Sequence, residues 1–490
     1  MDETTIKTPP RGLVVLAFVG PAFVWCAEYI GSGEVVLATR TGAILGSAVI
    51  WSVIVGIFLK YWIGLSGARY TVCTGEGMVD MFDRIPGPRH WVVWLVLVVQ
   101  FISAIIAIAA LANVTGIFFA SLLGTQSRTI QIICGWAVSL SAAAIVWSGT
   151  FDSLKIVMSI FVLIIVLGTF YVAARVFPPF YDFLRSLVPN VPEVPQWAIQ
   201  KGLSTNPWKE MLPLIGWGAG GFASQVWYTY WVLGAGYGAT AGRGDGRPAD
   251  VPGLKSIGIE TAHRIKGWCR VLYTDATIAM IIGVTVTCSF VIAGSGVLRP
   301  RQIAPDGPSV AITLSEIFGA NWGKVGAILF MLAGSAALIS TQVGQLAGWP
   351  RMLSDCCRIC IPSVANKFSW KTRYRFFLVV FFFTSMVIIY TLGFKPVLLV
   401  QVGSILDGLL LTPLQAACVL LGLFFVMPKI LSKDAAKVLK PNPVFAIGLL
   451  LLLLPLPSLS ISVLQLCSNS CFSNKTGFPY LKSSFFLNKS

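Results

Sequence analysis

Charge is scarce in this chain: 11% of its 490 residues are Asp, Glu, Lys or Arg, against about a quarter in an ordinary soluble domain. That shortage excludes a water-soluble enzyme or binding module, and a mean hydropathy of +0.79 dissolves most of the chain in lipid. Histidine is nearly absent. His90 and His263 both fall in expected loops, so a histidine-built metal centre is not available. No His-x-x-x-His pattern, paired nucleophile and base, or nucleotide fingerprint is found. We therefore expect no enzymatic activity and no cofactor. Eleven cysteines are present, but without metal-ligand spacing. Cys356, Cys357 and Cys360 cluster in an expected cytoplasmic loop (347–373), where thiols stay reduced. Cys467 and Cys471 lie in an outer tail, where pairing is an open alternative.

Apolar runs dominate what is there. A bilayer span needs about 20 apolar residues. Such segments are expected at 12–43, 45–67, 91–121, 129–149, 153–174, 211–234, 269–294, 324–346, 374–394, 396–426 and 442–466, about eleven helices. The first is too long for a cleavable leader. The fold class is thus an all-α integral membrane protein. The net charge of +16 does not mark a nucleic-acid ligand, because the cations alternate between loops. Arg69, Arg84, Lys266, Arg270, Arg351, Arg358 and Lys440 belong to a larger set on the side of the N-terminus. Arg40, Lys201, Lys209 and Arg299 belong to a smaller set opposite. The positive-inside rule then makes the N-terminus cytoplasmic. A multi-pass, monomeric protein of the plasma (inner) membrane is expected, with the lipid bilayer as partner and no nucleic acid.

Two spans are interrupted by glycine. The first reads "AEYIGSGEVVLATRTGAILG" (27–46), with Glu28 and Glu34 flanking Gly31-Ser32-Gly33. The sixth reads "LIGWGAGGFASQVWYTYW" (214–231), with Gly216, Gly218, Gly220 and Gly221. Glycine tolerates unwound backbone, and unwound backbone survives at bilayer depth only where protein or an aqueous cavity satisfies it. Breaks at matching places in two halves point to an inverted-repeat transporter whose solute sits at the breaks. Close helix packing is the plainer explanation of the same glycines. The expected organisation is a cytoplasmic start (1–11), a first repeat of five helices (12–174), an outer connection (175–210) and a second repeat (211–426). A loop with an eleventh helix (427–466) and a poorly ordered tail (467–490) complete it.

At these residues the chain resembles the Nramp (natural resistance-associated macrophage protein) family of divalent metal transporters. Gly31-Ser32-Gly33-Glu34 stands where the family has Asp-Pro-Gly-Asn, and Ala68-Arg69 followed by Thr74-Gly75 matches its second helix. Gly218-Ala219-Gly220-Gly221-Phe222-Ala223-Ser224 replaces Gly-Ala-x-x-Met-Pro-His. Segments 334–348 and 398–414 are similar to its eighth and tenth helices. The resemblance implies a LeuT-type five-plus-five inverted repeat with helices one and six broken. Carried over, the family's ion ligands become Gly31, Glu34, the carbonyl of Ala219, and Phe222, with Asp407 at the place of a tenth-helix Gln. The soft thioether is gone. The sixth-helix His is Ser224, and the third span holds no acid. A divergent relative is expected, moving a hard, Mg2+-like divalent cation with weak or absent proton coupling.

Each acid has a plainer alternative. Glu34 and Asp407 are the expected metal ligands, yet Glu34 at a half-helix start also suits a cap. Glu28, Ser224, Gln225 and Gln401 are candidate pathway residues, and Gln342 and Gln345 either join them or bond within the bundle. Asp275 is expected to pair with Arg270 or meet water. The aromatics 226–231 suit packing better than a cation–π cage. Two other readings stay open: an organic-cation or amine transporter, and a receptor that keeps the fold without transport.

Overall fold

In a computed structural model of the chain, residues 6–147, 152–218, 220–244 and 246–453 are described. The tail with Cys467 and Cys471, most of the eleventh span and Ala219 lie outside them. Among the described residues the structure is helical, without a strand. The first span comprises α1 (Pro21–Tyr29) and α2 (Thr39–Leu45), joined through a wide i→i+5 turn at Gly33–Ala38. The second is α3 (Ile50–Thr74), the third α4 (Trp91–Leu122), the fourth α5 (Arg128–Val146) and the fifth α6 (Asp152–Arg175). The sixth is again two pieces, α7 (Trp208–Trp217) and α8 (Phe222–Ala235). Then come α9 (Ile259–Ala293), α10 (Val310–Cys360), α11 (Trp370–Leu392), α12 (Pro396–Gly408), α13 (Thr412–Leu421) and α14 (Pro443–Leu453).

Among the described residues, seven helical spans are long and apolar enough to cross a membrane by length and composition. The halves of the first and sixth spans are each too short to do so alone. Outward-facing leucines, valines and phenylalanines on α4, α10 and α11 stay exposed, among them Val98, Leu332 and Phe383. This is the side-chain chemistry of a lipid-facing surface, not of a water-facing one. The protein is an integral, multi-pass membrane protein.

Three features depart from the sequence expectations. The tenth span is broken too, at Leu409–Leu411, between α12 and α13. The seventh span starts at Ile259 rather than 269, because Gly258 caps it and an Arg264–Glu260 pair one turn apart supports its polar end. The eighth runs from Val310 to Cys360 with a kink at Gly323 (φ 60°, ψ −147°). The expected 347–373 loop is therefore largely helix. Cys356 is buried there beside a network in which Arg358 reaches Asp80 at 2.7 Å and Tyr230 donates to Asp355 at 2.8 Å. Ion pairing lets a charged segment continue a buried helix, a long-range effect that loop composition does not announce.

Candidate cation site at two helix breaks

At the first break, regular bonding ends where the Ile30 N–H donates to the Cys26 carbonyl (2.9 Å). It resumes with Val35 donating to Gly31 (2.8 Å). In between, the Gly31 N–H donates to Glu34 Oε2 at 3.1 Å, and Thr287 Oγ1 of α9 donates to Oε1 at 3.4 Å. Glu34 thus satisfies its own break and is fully buried. The indole of Trp217, at the end of α7, donates to the Tyr29 carbonyl at 3.0 Å and so joins the two breaks. Gly31 is required by proximity: a Cβ there would lie 2.1 Å from Thr341 Oγ1 on α10.

The second break borrows its partners. Lys60, in the middle of α3 and 3% exposed, donates from Nζ to the carbonyls of Gly216 (2.9 Å) and Gly220 (3.0 Å). Asp407 of α12 accepts from the Ala223 N–H at 3.1 Å, capping α8. A Cβ on Gly221 would lie 1.9 Å from its other carboxylate oxygen. Gln415 of α13 donates to the Phe222 carbonyl at 3.1 Å. An ammonium removed from water costs several kcal/mol unless compensated. Here two carbonyls bind it, and Asp407 and Glu34 lie within electrostatic reach. Sequence reasoning passed over Lys60. Its signal was a lone cation in the interior of an apolar span, where lysine is costly and marks function or pairing.

The remaining predicted residues separate into two groups. Glu28 faces the sixth span: Ser224 Oγ donates to its Oε2 at 2.5 Å, and Trp25 Nε1 donates to Ser224 at 3.0 Å. Glu28 lies within electrostatic reach of both Asp407 and Glu34. Gln225 is buried in α8, and the Phe222 ring packs on Phe82 with centroids 6.0 Å apart. Gln401 is placed elsewhere, donating to Glu210 Oε2 at 3.3 Å. Asp275 corrects its expectation. It is fully buried and does not pair with Arg270 but accepts from the Gly20 and Ala22 N–H groups (3.1 and 3.2 Å) and from Tyr228 (2.7 Å), capping α1. The start of α1 needs acceptors, and a carboxylate on the packed α9 supplies them. Tyr228 is also stacked on Trp25 at 4.4 Å, so the 226–231 aromatics pack.

Beside the first break, α10 presents polar atoms with nothing to bond. Thr341 Oγ1, both amide atoms of Gln342 and Gln345 Oε1 are buried without a partner among the described residues. Gln345 shares a small cavity with Ser32, Trp217 and Ser404. Each such group costs about 1–3 kcal/mol if left unsatisfied. Bundle hydrogen bonding therefore does not explain Gln342. Among the described residues, no three His, Cys, Asp or Glu side chains form a group able to hold a metal ion. A cation here would need backbone and amide oxygens as well as carboxylates.

Buried ion pairs flank the breaks at both ends. At one end Arg40, counted from sequence as a loop cation, is buried in α2. It pairs with Glu210 through Nε at 2.9 Å and Nη2 at 3.3 Å, and reaches the carbonyls of Leu203 and Pro305. At the other end Glu76 takes Arg84 at 2.7 and 2.9 Å, together with the Tyr70 hydroxyl and the Ala249 N–H. The bonds to Glu76 hold the Arg84 guanidinium above its usual range.

Residues 22–200 match the family model described as natural resistance-associated macrophage protein-like. A divalent metal cation transporter MntH of Yersinia enterocolitica is 30% identical over 98 residues, covering 19% of this chain and 24% of that protein. The MntH of Pectobacterium carotovorum is 30% identical over 94 residues, covering 19% and 22%. The alignments thus span about a quarter of these curated relatives. The fold is similar throughout to the crystal structure of an Eremococcus coleocola manganese transporter bound to an aromatic bis-isothiourea compound. There the TM-score is 0.69 at 11% identity, over 96% of this chain and 92% of that one. It is also similar, at a TM-score of 0.50 and 12% identity over 91% and 99%, to MhsT in complex with L-phenylalanine. The chain thereby shares the fold of these solved structures, and in it the first and sixth helices are broken.

Proposed function

We propose that this Nramp-related chain is a secondary transporter moving a divalent metal cation across a membrane, with Glu34 and Asp407 as its charged ligands. The carrying observation is the cluster of unpartnered oxygens on α10 beside the break that holds Glu34. Buried polar atoms without partners are expensive, and a bound cation with its remaining waters would satisfy them. The Ala219 carbonyl and the unwound backbone at Gly31 complete the proposed oxygen set. The proposed set is made of oxygens alone, since Phe222 stands where the family has its thioether. That set suits a hard ion such as Mg2+, which keeps several waters, better than Mn2+ or Fe2+. Proton coupling would be weak or absent, because α4 carries no acid and Ser224 replaces the family's histidine. The protein would act as a monomer in the plasma (inner) membrane, N-terminus inside.

A second reading has its own observation. The ammonium of Lys60 already rests on the carbonyls of the sixth-span break, so that backbone accepts an amine, as an organic-cation carrier would require. Reconstitution into liposomes decides between them. Uptake is measured across Mg2+, Mn2+, Ca2+ and small primary amines, with the internal pH followed. Saturable Mg2+ uptake without internal acidification is expected. Amine uptake unaffected by Mg2+ would replace the metal reading, and acidification driven by the metal would overturn the uncoupled one.

A further inference from the structure

A second polar site lies far from the breaks, at the end of the bundle that carries the N-terminus. A groove of about 590 Å³ opens between α3, α9 and α14. Four cations line it, Arg69, Lys266, Arg270 and Lys440, and no carboxylate does. Lys266 and Arg270 are one helical turn apart on α9 and exposed, as is Lys440 just before α14. Arg69 is different. It is 4% exposed, its Nη2 donates to the carbonyls of Leu439 (2.8 Å) and Lys440 (3.4 Å), its side chain also meets the Cys269 thiol, and its Nε is buried without a hydrogen-bond acceptor among the described residues. Its guanidinium lies over the rings of Tyr273 (5.7 Å) and Phe445 (5.4 Å). Trp62 also lines the groove, and its indole N–H is buried without an acceptor.

Positive loops on this side are ordinary topology and need no ligand. A buried arginine in a groove with no carboxylate among the described lining residues is not ordinary: its guanidinium calls for an anion's oxygens. Depth identifies the kind of anion. Trp62 precedes Arg69 by seven residues on α3, which puts it roughly 10 Å further into the bilayer. Cations therefore ring the mouth at headgroup level, and an apolar wall runs down from Phe445, beside Arg69, to Trp62 below. A free phosphate would use only the mouth, whereas an anionic phospholipid would use both levels. Basic pockets between membrane helices at the cytoplasmic face take such headgroups.

The geometry points to a bound anionic phospholipid in this groove, its phosphate between Arg69, Lys266 and Arg270 and its acyl chains along Trp62 and Phe445. This site is independent of the cation reading. The test is native mass spectrometry of the full-length protein from detergent, titrated with phosphatidylglycerol, phosphatidylcholine or inorganic phosphate. K266Q/R270Q serves as the variant, because both side chains are exposed, and its melting temperature is compared with the parent's. Phosphatidylglycerol should be retained well above phosphatidylcholine. The double variant should lose roughly thirty-fold in affinity, each cation near an anionic headgroup contributing about a factor of five. Inorganic phosphate should not displace the lipid. Equal retention of the two lipids, or no loss in the variant, would overturn the site. Displacement by phosphate would overturn the lipid assignment and leave a soluble-anion site.

Discussion

The two helix breaks solve the same problem by different means. The first is satisfied from within: Glu34, three residues past Gly31, turns back onto the Gly31 N–H. The second is satisfied from outside, by Lys60 of α3, Asp407 of α12 and Gln415 of α13. The first break still leans on its surroundings, through Thr287 on Glu34, the Trp217 indole on the Tyr29 carbonyl and the close approach of Gly31 to Thr341. The second hangs on three other helices at once. The two therefore differ in where the freed backbone finds its first partner: a local side chain in the first, imported ones in the second.

That contrast is broken most directly at Lys60. Lys60→Met leaves two carbonyls unbonded and two acids without their cation. Losing one partner of a buried charge set costs about 3–5 kcal/mol, so thermal unfolding in detergent should show the largest fall in melting temperature of any change considered. A variant as stable as the parent would mean the second break is not braced by this ammonium. Next come Glu34→Gln and Asp407→Asn. Both amides keep an oxygen acceptor, so the fold should survive. Uptake of the cation should need roughly ten- to a hundred-fold higher concentration after Glu34→Gln, the scale of one charge-assisted contact of about 1.5–3 kcal/mol. Asp407→Asn should show a comparable or smaller rise, since the Ala223 N–H keeps its partner. Two variants indistinguishable from the parent would remove the cation site and leave Glu34 as a helix cap. Smallest are Glu28→Gln and Asp275→Asn. The first keeps the Ser224 hydrogen bond and should shift half-saturation a few-fold, the size of one neutral hydrogen bond of about 1 kcal/mol. The second should cost about 1 kcal/mol of stability through a weaker cap on α1, as helix caps do, and leave uptake unchanged. A transport defect in Asp275→Asn larger than that in Glu34→Gln would reverse the ordering.

The sequence made the breaks legible because glycine inside an apolar run has few other uses. The acids beside them were legible because a carboxylate at that depth is costly. What stayed hidden was partnership. Whether Asp275 would meet Arg270 or the start of α1 depends on how α9 packs on α1, and no spacing along the chain encodes that. Lys60 was hidden for the same reason, since its two acceptors lie about 160 residues away. The break after Gly408 escaped because Leu409, Leu410 and Leu411 read as ordinary helix formers. Arg40 read as surface charge only because Glu210 is on another span.

One packing feature has a mechanical consequence. A Cβ on Gly408 would lie 1.8 Å from the Gly216 carbonyl oxygen, and one on Gly42 would lie 2.1 Å from that of Val291. A Cβ on Gly294 would likewise lie 2.2 Å from the Thr39 oxygen. Backbone therefore rests on backbone at two places, α7 on α12 and α2 on the end of α9, with no side chain between to slide or swivel. These contacts tie the spans into two blocks, one built on the sixth and tenth spans, the other on the first and seventh. Arg40 sits on one block and Glu210 on the other. The Arg40–Glu210 ion pair, the Thr41 hydroxyl on the Glu210 carbonyl (3.2 Å) and the Trp217 indole on the Tyr29 carbonyl (3.0 Å) stitch the two together, so parting them means breaking a short row of buried polar contacts rather than peeling apart an apolar surface.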